Sequence, residues 1–246
     1  MPCPSEKRGL TFDRMVRRIL NLLCVGSLAL FSTGDNGCKR QSSIPPVAAV
    51  VRDVSAAGHR YGVAEFLLSQ STLKLFWKAP DGTRIGNFKE LNSVISASSE
   101  GLIFATNAGI FDSSFSPCGL HVENGREIVP LNLKTGEGNF YLKPNGVFLI
   151  DSRGAEIIES SQYPLLQDHP ILATQSGPLL VINGQINPRF ATDSENRRIR
   201  SGVGMISHNQ VVFVLSREPV TFHEFASFFQ KTLNCADALY LDGEIS

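Results

Sequence analysis

The chain is 246 residues long, and its 23 lysines and arginines balance its 23 aspartates and glutamates, giving zero formal net charge. Apolar residue types make up 42% of it, enough to bury the core of one domain of ordinary to large size. No long block of one sign appears, which argues against nucleic acid as a partner while leaving room for a locally charged cleft.

Lys7, Arg8, Arg14, Arg17 and Arg18 precede an apolar run from Ile19 to Phe31, and Ser32, Thr33 and Gly34 follow it. A basic flank, a short apolar centre and small residues make the pattern of a secretory signal, and the run is short for a membrane span. Residues 1–34 are therefore expected to be a signal peptide or an uncleaved N-terminal anchor, and the protein to be exported to the periplasm or cell envelope. Cys38 follows Gly37 as a lipidated cysteine would, although Asp35 and Asn36 are the wrong types before it. Membrane contact would run only through the uncleaved segment or a lipidated Cys38. Residues 35–49, polar and proline-bearing, read as a linker, and 50–246 as the folded domain.

The first strands are expected at Tyr61–Leu68 and Leu73–Trp77, rich in β-branched, aromatic and aliphatic residues. Trp77 reads as core ahead of a sugar-stacking platform. Asn87 suits the N-cap of a helix in which Phe88, Leu91, Val94 and Ile95 recur at helical spacing, with Gly101 stopping it. An apolar entry at Leu102, Ile103 and Phe104 then reads as a buried strand running into Asn107, Ala108-Gly109 and Asp112. Either this is a plain turn ending a strand, or Asn107 and Asp112 converge on a ligand from the two sides of a tight loop. A serine-rich loop leads to a hairpin signal at Asn124-Gly125.

Gly136-Glu137-Gly138-Asn139 and the turn Pro144-Asn145-Gly146 mark a loop and strand whose backbone meets something closely. No Walker pattern and no strand–GxGxxG–helix context is present, so nucleotide binding by those routes is disfavoured. Gln175-Ser176-Gly177-Pro178 enters a strand that turns at Asn183-Gly184. Arg189, Arg197, Arg198 and Arg200 cluster before Gly202-Val203-Gly204. Arg200, at the mouth of that strand, is a natural grip for phosphate or carboxylate, whereas Arg197 and Arg198 read as a solvated loop. The strand returns after His208-Asn209. Thr221 to Glu224 is a capping box that starts a helix with Phe222, Phe225, Phe228, Phe229 and Leu233 on one face, and Ala238–Leu241 is a last buried strand presenting Asp242.

Cys118 and Cys235 can pair in an oxidising compartment, with two buried thiols as the alternative. The five histidines, His59, His121, His169, His208 and His223, show no metal-ligand spacing. No cofactor and no metal are expected, while aspartate and asparagine ligands for magnesium or calcium stay open.

Taken in order, the segments Asn107–Asp112, Gly136–Phe148, Gln175–Gly184, Arg200–Gly204 and Tyr240–Ser246 resemble the phosphodiester glycosidase family, and most closely its bacterial branch. The resemblance runs from about Val50 to the C-terminus. It implies an α+β fold, a mixed, largely antiparallel β-sheet core with a few packed helices in a single domain. It also implies a hydrolase that releases free sugar from a sugar-1-phosphodiester. Carried onto this chain, the family pattern puts the catalytic groups at Asp242, Asp112 and Arg200, with substrate contacts at Asn107, Gly109, Asn139, Asn145, Ser176, Gly177 and Gly243. Asp242 would be the acid/base or nucleophilic carboxylate, Asp112 its partner, Arg200 the phosphate ligand and Asn107 the ligand of sugar hydroxyls. Two features depart from the pattern. Asp242-Gly243-Glu244-Ile245-Ser246 stands where the eukaryotic branch has a glycine-rich serine motif, and the family usually continues with further strand and loop, so the domain is expected to be cut short. Arg200→Ala is expected to abolish turnover with little change in the thermal melt. The competing expectation from another class is a non-catalytic, envelope-associated carbohydrate-binding protein, with Trp77 or Tyr141 stacking on sugar.

Overall fold

The structure, a computed structural model, describes residues 49–98 and 101–243. The signal segment, almost all of the linker, Cys38 and the terminal Glu244-Ile245-Ser246 lie outside the described residues. Twelve strands form two sheets, with β1 (Ala49–Ala56), β2 (His59–Leu67), β3 (His121–Glu123), β4 (Arg126–Val129), β5 (Gly146–Asp151) and β6 (Gly154–Glu159) preceding β7 (Leu172–Ser176). They are followed by β8 (Leu179–Ile182), β9 (Gln185–Ile186), β10 (Ser201–Ser207), β11 (Gln210–Ser216) and β12 (Asp237–Tyr240). Among the described residues the α-helices are α1 (Phe88–Ala97) and α2 (Phe222–Ser227), the latter running on through a wider turn at Phe228–Thr232.

One sheet has seven strands in the order β1-β2-β11-β10-β12-β8-β9 and the other five in the order β4-β3-β7-β5-β6. Every described ladder is antiparallel. The domain is thus an α+β fold dominated by antiparallel sheet. Between the sheets lies an apolar layer that includes Phe66, Phe148, Leu172, Val203, Met205, Leu239 and Leu241. On the other face of the larger sheet, α2 and its extension press Phe225, Phe228 and Phe229 onto Tyr61, Val212, Val214 and Tyr240. Residues alternate across a strand, so Val203 and Met205 face the smaller sheet while Gly202 and Gly204 lie under the phenylalanines. A Cβ on Gly204 would stand 2.6 Å from the Phe229 ring. Those two glycines make room for a core ring.

Asn87 caps α1 by accepting from the Glu90 N–H. The Asn124-Gly125 and Asn183-Gly184 turns both take positive φ, as type I′ hairpins require. The capping box is complete, with Thr221 and Glu224 bonding each other's backbone. Burial would raise the Glu224 pKa, but the Thr221 N–H, the Arg197 guanidinium and nearby His59 outweigh it and hold the carboxylate at about 2 instead of the ordinary 4.5. A depressed folded pKa adds stability above the unfolded value that is lost as pH falls through the folded one. In Glu224→Gln, the decline of the urea midpoint between pH 4.5 and about 2 should therefore be shallower than in wild type.

Three expectations are corrected. Leu73–Trp77 and Leu102–Phe104 form no ladder: Ile103 is 56% exposed and Phe104 packs as a lone ring against Phe66 and Phe213. Gln175-Ser176-Gly177-Pro178 does lead into a strand, β8, that turns at Asn183-Gly184, and Gly177-Pro178, joined by a cis peptide, carries the chain there from the smaller sheet to the larger. Cys118 and Cys235 do not pair with each other. Cys118 lies in the loop beside β7, where its carbonyl accepts from Asn132, whereas Cys235 is buried under Phe229 on the far face of the larger sheet. Burial pushes the Cys235 thiol up to about 12, with Glu65 and Asp237 adding to the rise.

Candidate functional site

β10 and β12 pair with Gly202 opposite Tyr240, and the Leu241 N–H donates to Ser201 O at 2.9 Å. Continuing that register puts Arg200 across from Asp242 and Ile199 across from Gly243. The third wall is the 107–109 stretch. The Asp242 N–H donates to Ala108 O at 3.4 Å, and the Gly109 N–H donates to Thr174 Oγ1 at 3.1 Å. The ends of β7, β10 and β12 therefore meet the stretch that sequence singled out. Gly109→Ala tests this seating: its Cβ would fall 2.3 Å from Gln175 O and 2.6 Å from Thr174 Oγ1. Lifting the loop off β7 should cost about 1–3 kcal/mol in urea unfolding and lower turnover.

Ser176 lies two residues beyond Thr174 and so shares its face of β7. Its hydroxyl is buried and has no hydrogen-bond partner among the described residues, a condition that costs about 1–3 kcal/mol. Gly177 sits against Asn145, Phe140 O and Asn139 O, with 2.6 Å between an added Cβ and that of Asn145. Asn145 itself is a buried brace, donating to Phe140 O at 3.0 Å and accepting from Lys143 Nζ at 3.2 Å. It shapes the wall. Asn107 and Asp242 are half-buried, Asn139 is exposed at the rim, and Gly243 packs on Ile199 O and the Tyr240 hydroxyl.

Arg200 is only 1% exposed. Its Nε donates to Val220 O at 2.8 Å, its Nη2 to Asn196 O at 3.0 Å, and its guanidinium stacks 3.6 Å from the centre of the Phe222 ring. Burial lowers its pKa, while Tyr240 raises it through charge and a hydrogen bond. Tyr240, which sequence did not single out, is the hub. Burial pushes its phenol up to about 12 and the Asp242 charge adds to that, against Arg200 and the hydrogen bonds of the Gly243 N–H and the Asn139 side chain. The signal for it was present in the strand alternation, since Tyr240 shares a face with Asp242.

Asp112 goes elsewhere. Its carboxylate accepts from the Ser114 N–H (2.8 Å), the Ser114 hydroxyl (2.6 Å) and the Ser116 N–H (3.0 Å). The Ser114 hydroxyl above all lowers its pKa. It orders its own exposed loop, and none of its hydrogen bonds reaches Asp242 or Arg200. Trp77 is half-buried and bonded to that loop, and Tyr141 stands edge-on to Phe140 beside Gly136. Among the described residues no cluster of three or more His, Cys, Asp or Glu could hold a metal.

The profile of one family, phosphodiester glycosidase, matches residues 100–246. The uncharacterized protein YigE of Escherichia coli K12 is 35% identical over 205 residues, 82% of this chain and 80% of that one. Solved structures that resemble the chain include the following two. One is the zebrafish N-acetylglucosamine-1-phosphodiester alpha-N-acetylglucosaminidase catalytic domain auto-inhibited by its pro-peptide, at a TM-score of 0.49 and 14% identity, covering 80% of this chain and 70% of that one. The other, a hypothetical protein from Synechocystis, has a TM-score of 0.41 and 14% identity, covering 79% of this chain and 56% of that one.

Proposed function

Since the chain belongs to the phosphodiester glycosidase family, we propose that it is an exported hydrolase that cleaves a sugar-1-phosphodiester between C1 of the sugar and oxygen, giving free sugar and a phosphate monoester. Family membership supports hydrolase chemistry. The observation that carries the finer reading is that the Ala108-Gly109 step bonds both Asp242 and Thr174, whose face of β7 also carries a buried Ser176 hydroxyl with no hydrogen-bond partner among the described residues, while the buried Arg200 guanidinium lies in register across from Asp242. An oxygen that departs as part of a phosphate monoester is already a stable anion, so little acid assistance is needed and the usual demand for two carboxylates relaxes. That suits a site in which one carboxylate, Asp242, is at hand and Asp112 is turned away.

In this reading Asp242 serves the sugar carbon, as nucleophile or as base for water. Asn107 and Ser176 orient sugar hydroxyls. Arg200 lends positive charge to the phosphate through the Tyr240 hydroxyl that it holds, and Asn139 stands at the entrance.

The test is turnover of a panel of glycosyl-1-phosphodiesters in ¹⁸O-water, with mass spectrometry of both products. Free sugar with an unlabelled phosphate monoester is the expected result. Label in the phosphate would mean P–O cleavage and overturn the bond assignment. Ligand-induced stabilisation with no product from any member would leave a carbohydrate-binding protein in place of an enzyme.

A further inference from the structure

Beside the strand ends, a group of aromatic and cationic side chains is left over. Residues 77–85 fold back on themselves around Asp81-Gly82, with the Ile85 N–H donating to Trp77 O (3.1 Å) and Lys78 paired opposite Arg84. Opposite residues of such a pair share a face. Lys78 Nζ sits 4.2 Å from the centre of the Trp77 ring, and the Arg84 guanidinium 4.8 Å from that of Phe115. Among the described residues neither cation has a carboxylate within ion-pair distance. The nearby acids are occupied: Asp81 accepts from the Thr83 N–H, Glu123 from the Trp77 N–H and His121, and Asp112 from its own loop.

Phe115 is the odd residue here. It is 50% exposed and has φ +59°, a left-handed conformation that costs a bulky residue about 1–3 kcal/mol. Three hydrogen bonds impose it. Trp77 Nε1 donates to Phe115 O (3.0 Å), the Phe115 N–H to Asp112 O (2.8 Å) and Arg84 Nη1 to Ser114 O (2.7 Å). The ring stacks on Phe111 at 5.5 Å and 16°. A strained backbone that holds a large ring half in water forgoes much of the roughly 1.5–3 kcal/mol that full burial of the ring would return, so packing does not explain it. The loop springs from the 107–112 stretch and closes at its base by the Cys118 N–H to Ile110 O bond (2.9 Å), which ties it to the stretch that seats Asp242.

We infer that Phe115, Arg84, Trp77 and Lys78 form a second subsite for a further sugar-phosphate unit of an anionic glycan. The exposed half of the Phe115 ring takes the apolar face of a pyranose ring, and the two cations take a phosphodiester oxygen. The natural substrate class is then a phosphodiester-linked glycan of more than one repeat. Calling the neighbouring unit scissile rests on the glycosidase reading. The binding chemistry of the patch does not.

The test uses Asp242→Asn protein and calorimetric titration with three probes, in a glucose and an N-acetylglucosamine series: a tetramer joined by 1→6 phosphodiesters, the single-unit methyl phosphodiester, and a neutral tetrasaccharide. The phosphodiester tetramer should bind at least about tenfold tighter than either control. That advantage should vanish when Phe115→Gly, which relieves the φ, or Arg84→Gln, which keeps a donor for Ser114 O, is added. Hydrolysis of the single unit by the corresponding single variants should match wild type. A tetramer that binds no tighter than the single unit, or equally well to the variants, overturns the subsite even if single units are hydrolysed. Tetramer binding that the variants lose, with no turnover of any phosphodiester by wild type, upholds the subsite and removes the glycosidase reading.

Discussion

Asp242→Asn should lower the release of sugar from a glycosyl-1-phosphodiester by about 10²–10³-fold, the usual cost of removing a group that stabilises charge in the transition state. The thermal midpoint should move by no more than about 2 °C. The asparagine is nearly isosteric, and two of the contacts that hold this residue are made by its backbone: its N–H to Ala108 O and its carbonyl from the Ser201 hydroxyl. Both survive the exchange. The loss belongs in kcat, because Asp242 is assigned to bond breaking more than to ground-state binding. An asparagine variant as active as wild type would remove Asp242 from the reaction.

Arg200→Ala should behave differently, and not as sequence alone led us to expect. A surface guanidinium gripping phosphate could be deleted with little effect on folding, but this one is buried, stacked on Phe222 and bonded to Val220 O and Asn196 O. Truncation leaves Asn196 O without this donor and Val220 O with only the Arg198 N–H, and adds a void beside an aromatic ring and a phenol deprived of its neighbour. Losses of this kind run to about 3–5 kcal/mol, which for a domain of this size lowers the midpoint by about 10 °C. Turnover should also collapse when assayed well below that midpoint. Arg200→Lys should fall between the two, keeping the charge and losing the planar fork. An alanine variant that melts with wild type would contradict the packing described for this side chain.

Local chemistry carried most of the legible fold. Asn87, Asn124-Gly125, Asn183-Gly184 and Thr221/Glu224 each announce a cap or turn whose backbone geometry only a few residue types supply, and each stands where it was read. What failed was segment type for short apolar runs. Leu73–Trp77 and Leu102–Phe104 have strand composition, yet composition does not choose a partner, and neither run joins the edge strands β1, β9, β4 or β6. Ala49–Ala56, with Arg52 and Asp53 in its middle, lacked the apolar pattern because it is a mostly exposed edge strand. In the site, the positions that strand register determines (Arg200, Asp242, Ser176) were readable, because apolar runs located the strand ends. The direction of a loop carboxylate was not. Asp112 is captured by Ser114 and Ser116, serines that sequence could only describe as a loop, and Tyr240, inside an apolar run, was legible only through its alternation with Asp242.

The depth of Arg200 has a consequence for how the molecule meets its medium. Dissolved ions at physiological strength blunt forces between wetted charges beyond about 8 Å, so whatever Lys78 and Arg84 attract from the outside is theirs to lose in brine. A guanidinium sealed beneath Phe222 is out of reach of those ions. Capture should fade as electrolyte rises, while the speed of a molecule already seated holds steady.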